Sequence, residues 1–148
     1  MTFGYREYEV VPTPGQPGSV IYRPVIPVRI TGPAGKAVIH GLLDTGSDVT
    51  VLPAFVLGLI GAKYDGDEHA RFQGVGGQTV KVHYSTVQMA LDHATGLWQW
   101  PAKVGFLEGR NIAILGYAGF LEHFNTTFNT ARHRVTLRTN KRFPGTAA

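Results

Sequence analysis

Apolar and polar positions alternate with a period of two along most of the chain, the spacing of β-strands whose successive side chains face opposite sides. Residues 20–30 are rich in Val and Ile but include Pro24 and Pro27, which lack the N–H a ladder needs, so an edge or bend is expected there. TGPAG at 31–35 turns the chain into a second strand over 36–43, and a third follows at 49–52. Residues 69–72 and 79–84 flank QGVGG at 73–77, whose three glycines suit a hairpin tip that needs positive φ. Val80, Val82 and Tyr84 share one parity while Val87, Met89 and Leu91 take the other, a one-residue slip that predicts a β-bulge. Trp98, Trp100, Ala102, Val104 and Phe106 alternate again with Pro101 on the opposite parity, and residues 112–115 read as a short buried strand ending at Gly116. Helical spacing places Phe120, Leu121 and Phe124 on one face of a helix over 118–124, while residues 53–62 suit a short helix that Gly58 disfavours. A last hairpin is expected around NTARH. Residues 1–18, ending in the turn TPGQPG, read as an arm or linker, 19–140 as one domain, and 141–148 as a flexible tail.

Composition narrows the classes. The 148 residues suit a single domain with a real core, and 19 glycines with 9 prolines and only 16% charged residues fit a turn-rich β protein. Cysteine is absent, which excludes disulfides, a thiolate nucleophile and thiolate metal sites. The N-terminus MTFGYREYEV has no apolar signal region, and the longest apolar stretch, 53–62, falls well short of the roughly 20 residues that span a bilayer. A soluble, cytoplasmic protein with no membrane association is therefore expected. The net charge of +4 raises nucleic acid as a partner, but Arg132, Arg134, Arg138, Lys141 and Arg142 crowd the last segment, where they read as a solvated strand edge and tail; no nucleic-acid partner is expected. His40, His69, His83, His93, His123 and His133 are scattered without ligand spacing, so neither metal nor cofactor is expected.

The chemistry centres on GLLDTGSDVTVLP at 41–53. A carboxylate among Leu42, Leu43, Val49, Val51 and Leu52 is costly unless something pairs with it or uses it. Taken alone, Asp44 is either a turn acid capping backbone N–H groups or a reacting group. Asp48 reads as a solvated turn acid, and the glycine hairpin by itself as a plain turn.

LLDTGS, the glycine hairpin about thirty residues later, IAILG and GFLEHF occur in an order that resembles single-lobe, retropepsin-like aspartic proteases, over roughly residues 21–137. Haloacid-dehalogenase phosphatases fit less well, since they need a second Asp where Gly46 stands, and actin-like ATPases need two α/β domains in a much longer chain. The resemblance implies an all-β, closed retropepsin-like barrel with one short helix, active as a homodimer in which two Asp44 carboxylates activate a water to hydrolyse an extended polypeptide. Such a pair cannot ionise fully and holds one proton between its members, the general example being the aspartic protease dyad itself. By the same resemblance Thr45 bonds across the dimer axis, Gly46 lets the backbones approach, and Ser47 donates to the Asp44 carboxylate. Gln73, Gly74, Val75, Gly76 and Gly77 form a flap over substrate, and Val51, Val75 and Ile114 wall its pocket. Ile114, Leu115 and Gly116 match the family's apolar-apolar-Gly element, although Tyr117 and Ala118 replace the Arg and Asp or Asn that often follow. The rival from another class is a non-catalytic protein-binding or dimerisation module that keeps the fold.

Overall fold

Thirteen strands carry the chain among the described residues of the computed structural model, 1–74 and 76–148. They are β1 (Thr2–Gly4), β2 (Arg6–Glu9), β3 (Val20–Arg23), β4 (Val25–Gly32), β5 (Gly35–Leu43), β6 (Val51–Pro53), β7 (His69–Gln73), β8 (Thr79–His93), β9 (Gly96–Leu107), β10 (Ile114–Leu115), β11 (Phe124–Asn129), β12 (Arg134–Thr139) and β13 (Thr146–Ala147). Helix α1 (Phe55–Ile60) lies between β6 and β7.

Six strands close into a barrel in the order β9-β6-β10-β5-β4-β8, because β8 also pairs with β9. Alternation fills it: Ile26, Val28 and Ile30 of β4, Met89 and Leu91 of β8, and Trp100, Val104 and Phe106 of β9 are all buried, so the interior is packed side chain rather than channel. Trp100 anchors one end, its ring edge-on to Phe120 and Phe124 at 5.6 and 5.4 Å, and its indole N–H donates to the carbonyl of Gly119 at 3.0 Å. That bond satisfies the one polar atom the ring carries into the core.

The proline-bearing β4 is flanked by β5 along its whole length, but β8 joins it only at Arg29, Ile30 and Thr31. Pro27 thus falls where β4 has a single neighbour, which meets the expectation of a local edge. The parity slip in β8 has another cause than the expected bulge. Its pairing with β9 runs without interruption from Val82 opposite Leu107 to His93 opposite Gly96. The buried face changes instead, from Val82 on the even side to Ser85, Val87, Met89 and Leu91 on the odd side. The β7–β8 hairpin projects beyond the barrel, so its even face meets different surroundings from those of the barrel half.

The helix expected over 118–124 is also replaced. Residues 121–123 form one 3₁₀ turn, and Phe124 is already extended at φ −130° and ψ 142°. The amides of Leu121 and Glu122 bond back to Gly116 and Tyr117, while that of His123 reaches Phe120, so no i to i−4 ladder forms. The aromatic spacing serves instead to bring Phe120 and Phe124 together onto Trp100. Among the described residues the α-helix is α1, which buries Val56, Leu57 and Ile60 and ends at Gly61 in the left-handed region at φ 64°.

Both chain ends are paired, which departs from the arm and the flexible tail read in the sequence. β1 lies beside β12 in a three-stranded sheet ordered β1-β12-β11, β2 and β3 form a two-stranded sheet, and β13 adds to β9. The tail is held by Phe143, whose ring sits 5.6 Å from Trp100 and 5.7 Å from Phe124. No described helix is long and apolar enough to cross a membrane.

Removing that anchor tests the tail's contribution. Phe143→Ala is expected to lower unfolding free energy by about 2 kcal/mol, below the roughly 3–5 kcal/mol of a fully buried Phe because the ring is half-buried. Urea denaturation measures it, and an unchanged midpoint would show that the tail contributes nothing to the core.

Candidate active site

β5 delivers Asp44 at its end and β6 leaves the turn at Val51, while β10 is inserted between them. Ile114 is the shared rung, opposite Leu42 in a parallel pair and opposite Val51 in an antiparallel one. Behind the turn the chain of β10 continues to bond it: the Asp44 amide donates to Leu115 O at 3.2 Å, Tyr117 N to Ser47 O at 2.9 Å, Ala118 N to Asp48 O at 2.9 Å, and Thr50 N to Ala118 O at 3.0 Å. Gly116 is the point of closest approach. A Cβ there would collide with the carbonyl of Val49 and lie 2.8 Å from that of Ser47, so only hydrogen fits between the two backbones.

Asp44 is half-buried, and its Oδ1 accepts the Gly46 amide at 2.8 Å, which orients the carboxyl group within its own turn. Thr45 and Gly46 are exposed. Ser47 departs from expectation: its hydroxyl donates to Val49 O at 2.8 Å and not to the Asp44 carboxylate. The turn brings the Val49 carbonyl within reach of a short side chain two residues earlier, and the local acceptor wins, as Ser commonly does in turns.

Above the turn, Gln73 pairs with Thr79, the Gly74 amide bonds Gln78 O at 3.0 Å and the Gly77 amide bonds Gly74 O at 3.1 Å, closing a hairpin tip. Gly76 and Gly77 take φ 97° and 79°, conformations open to glycine and strained for other residues. A cleft of about 480 Å³ lies between hairpin and turn, bounded by Asp44, Gly46, Ser47, Asp48, Val49, Val51, Phe72, Gln73, Gly74, Val80, Val82, Leu107, Ile112 and Ile114.

Asp44, Gly46, Ser47, Val51, Gln73, Gly74 and Ile114 are brought together around one cavity. Thr45, Gly76 and Gly77 do not line it, and Val75 lies outside the described residues. Sequence reasoning missed Phe72, Val80 and Val82, although their parity was a usable signal: Phe72 faces Val80 across the hairpin, so one face carries all three. Leu107 and Ile112 had no such signal, since Leu107 joins the wall only by standing opposite Val82.

A second cavity, of about 500 Å³, shares Val49 but holds different chemistry. Lys103 and Glu68 form an ion pair there, which raises the lysine's pKa above its ordinary value through their hydrogen bond. Burial lowers that of His123, partly offset by the neighbouring Glu122 carboxylate. Its acids are already bonded, Glu122 to the Gly119 amide at 2.8 Å. The cleft with Asp44 instead combines a carboxylate with a long apolar wall.

A family model described as retroviral aspartyl protease matches residues 21–113, which include the whole turn and hairpin. The chain belongs to the retroviral aspartyl protease family. The match ends one residue before β10, so the strand behind the turn and the three-stranded sheet lie outside it. No curated protein matches the chain.

Two substitutions probe this protease-family turn. Ser47→Ala is expected to cost about 1 kcal/mol of stability, one net hydrogen bond, and to leave the pH dependence of any activity in place; an acid-limb shift would instead mean that the hydroxyl serves the Asp44 carboxylate. Gly116→Ala is expected to cost at least about 1–3 kcal/mol by forcing the two backbones apart, read as a lower melting temperature, and a silent change would remove Gly116 as the contact that seats the turn.

Proposed function

We propose that the chain is an aspartic endopeptidase in which Asp44 and Asp44 of a second copy hold a water between them and hydrolyse an extended polypeptide. The single observation that carries this reading is that the Asp44 carboxylate opens into an apolar cleft beneath a glycine-tipped hairpin. One carboxylate is ionised and takes a proton from the water, whose oxygen attacks the scissile carbonyl carbon, and the other donates its proton to the carbonyl oxygen. Collapse of the tetrahedral intermediate breaks the C–N bond and returns a proton to the leaving amine. The Gly46 amide is positioned to hold the carboxyl plane throughout.

One protomer carries a single Asp-Thr-Gly turn, and Thr45 and Gly46 stand exposed beside its acid, which supports a site completed by a two-fold partner. The hairpin supplies backbone groups that bond an extended chain as an added strand, with Gln73 and Gly74 at the cleft. Phe72, Val80, Val82, Leu107, Ile112 and Ile114 favour large apolar side chains on either side of the cut bond.

Cleavage of a mixed peptide library, with and without pepstatin, is the test. Asp44→Asn is expected to fold normally and to lose about 10²–10⁴-fold or more of the activity, because it removes the acid–base pair from both sides at once. Equal behaviour of wild type and Asp44→Asn would assign the fold to binding without catalysis.

A further inference from the structure

The strand that delivers Asp44 is only half covered. We infer that the groove between the open edge of β5 and the outer face of α1 is an exosite, which takes an extended, apolar and acidic segment of the polypeptide substrate as an added strand outside the Asp44 cleft. The identity of that occupant rests on the proposed endopeptidase reading, whereas strand docking in the groove is measurable without cleavage.

β4 pairs with β5 along its whole length on one side, while β10 reaches the other side only at Leu42 and Leu43. Backbone groups along an antiparallel strand point alternately toward its two neighbours. The Leu43 amide donates to Pro24 O on the β4 side, and the Leu42 amide to Ala113 O on the other. His40 and Val38, in phase with Leu42, therefore direct their N–H and C=O groups away from β4, and no bond reaches them there among the described residues. Apart from Lys36 at its start, the strand holds neither proline nor formal charge, the devices that ordinarily blunt an edge against an incoming chain.

The facing wall is apolar. α1 buries Val56, Leu57 and Ile60 and leaves Phe55 and Leu59, one helical turn apart, 55% and 59% exposed. Val38 is 61% exposed on the same groove, whose volume is about 320 Å³ and whose walls also include Ile39, Pro53 and Ala113. Large apolar side chains left in water beside unused backbone donors and acceptors suit one kind of ligand. Main-chain bonds hold an extended peptide, and the apolar walls take its alternate side chains.

Continuity with the cleft names the occupant. Residues 111–114 stand between the two spaces, with Ile112 and Ile114 lining the Asp44 cleft and Asn111 and Ala113 lining the groove. The open edge begins where the Ala113 bond to Leu42 ends. From Leu42 to Val38 is roughly 13 Å of strand, about four extended residues. A polypeptide held in the cleft thus has its flanking residues within reach of β5. Charge selects further. No acid lines the groove among the described residues, and Lys36 is exposed on the strand face that carries Val38. Partial burial, and then the charge of Arg6, lower the pKa of His40, which places a second cation near the groove. Glutamate or aspartate on the incoming strand meets cations there, and lysine meets repulsion.

Two substitutions separate the edge from the wall. Val38→Pro removes an outward N–H and puts a ring in its place, while the β4 ladder loses no donor. Phe55→Asp places a carboxylate on the exposed face of α1. The probes are fluorescein-labelled octapeptides of alternating valine and glutamate, or valine and lysine, read by anisotropy. The glutamate peptide is expected to bind wild type and Asp44→Asn alike, and the lysine peptide about tenfold more weakly. Each groove variant is expected to raise the glutamate peptide's Kd about tenfold or more, with circular dichroism unchanged. Joined to a cleavable apolar sequence, the valine-glutamate segment is expected to lower KM about tenfold in wild type and not in Val38→Pro, with kcat unchanged and the unextended peptide cut equally by both. Absence of glutamate-peptide binding, or binding that ignores both substitutions, would overturn the exosite and leave the endopeptidase standing as long as the unextended peptide is cut. A Val38→Pro effect confined to sedimentation would give the edge to a second copy and overturn it equally. Peptides that dock in the groove but are never cut would keep strand docking there and remove the protease.

Discussion

Backbone packed directly on backbone holds the Asp44 turn in place. The 44–50 turn carries its acid on one side, and on the other it lies against residues 114–118 with Gly116 at the contact, where no side chain fits. Four amide bonds across that seam replace the side-chain packing that would ordinarily support a loop. Because β10 is inserted between the strands that enter and leave the turn, the barrel and the turn are one hydrogen-bonded unit. A turn placed on such rigid elements keeps its geometry without large side chains crowding its carboxylate.

The cleft follows from how β8 serves two cores. Its lower half turns Val87, Met89 and Leu91 into the barrel, while its upper half carries Val80 and Val82 to the cleft, with β7 beside it. One continuous strand thus couples the hairpin to the packed interior. The glycines at the tip concentrate conformational freedom where the hairpin closes, and leave the paired residues below it constrained.

Much of the architecture was legible as period. Alternation in residues 98–106 located β9 and its inward Trp100, Val104 and Phe106, and the DTGS turn between apolar runs marked the acid that the cleft contains. Glycine spacing marked the hairpin. The failures share one cause, since each depended on a partner distant in sequence or on a competing local acceptor. Residues 118–124 carry helical spacing, but the pull of Trp100 on Phe120 and Phe124 and the bonds to Gly116 and Tyr117 shape them otherwise. The Ser47 hydroxyl was expected to serve the Asp44 carboxylate, and the path of the turn gives it Val49 O instead.

What the sequence determined by itself is local: which residues alternate, where the chain can turn, and which short motif carries a carboxylate. Tertiary structure decided which face of β8 is buried at each height, that both chain ends join sheets, and that β5 keeps an open edge. Those outcomes depend on hydrogen bonds and contacts between segments far apart in the chain. A period of two specifies a strand's two faces but names neither the neighbour that will cover each nor the strand that will take its free edge.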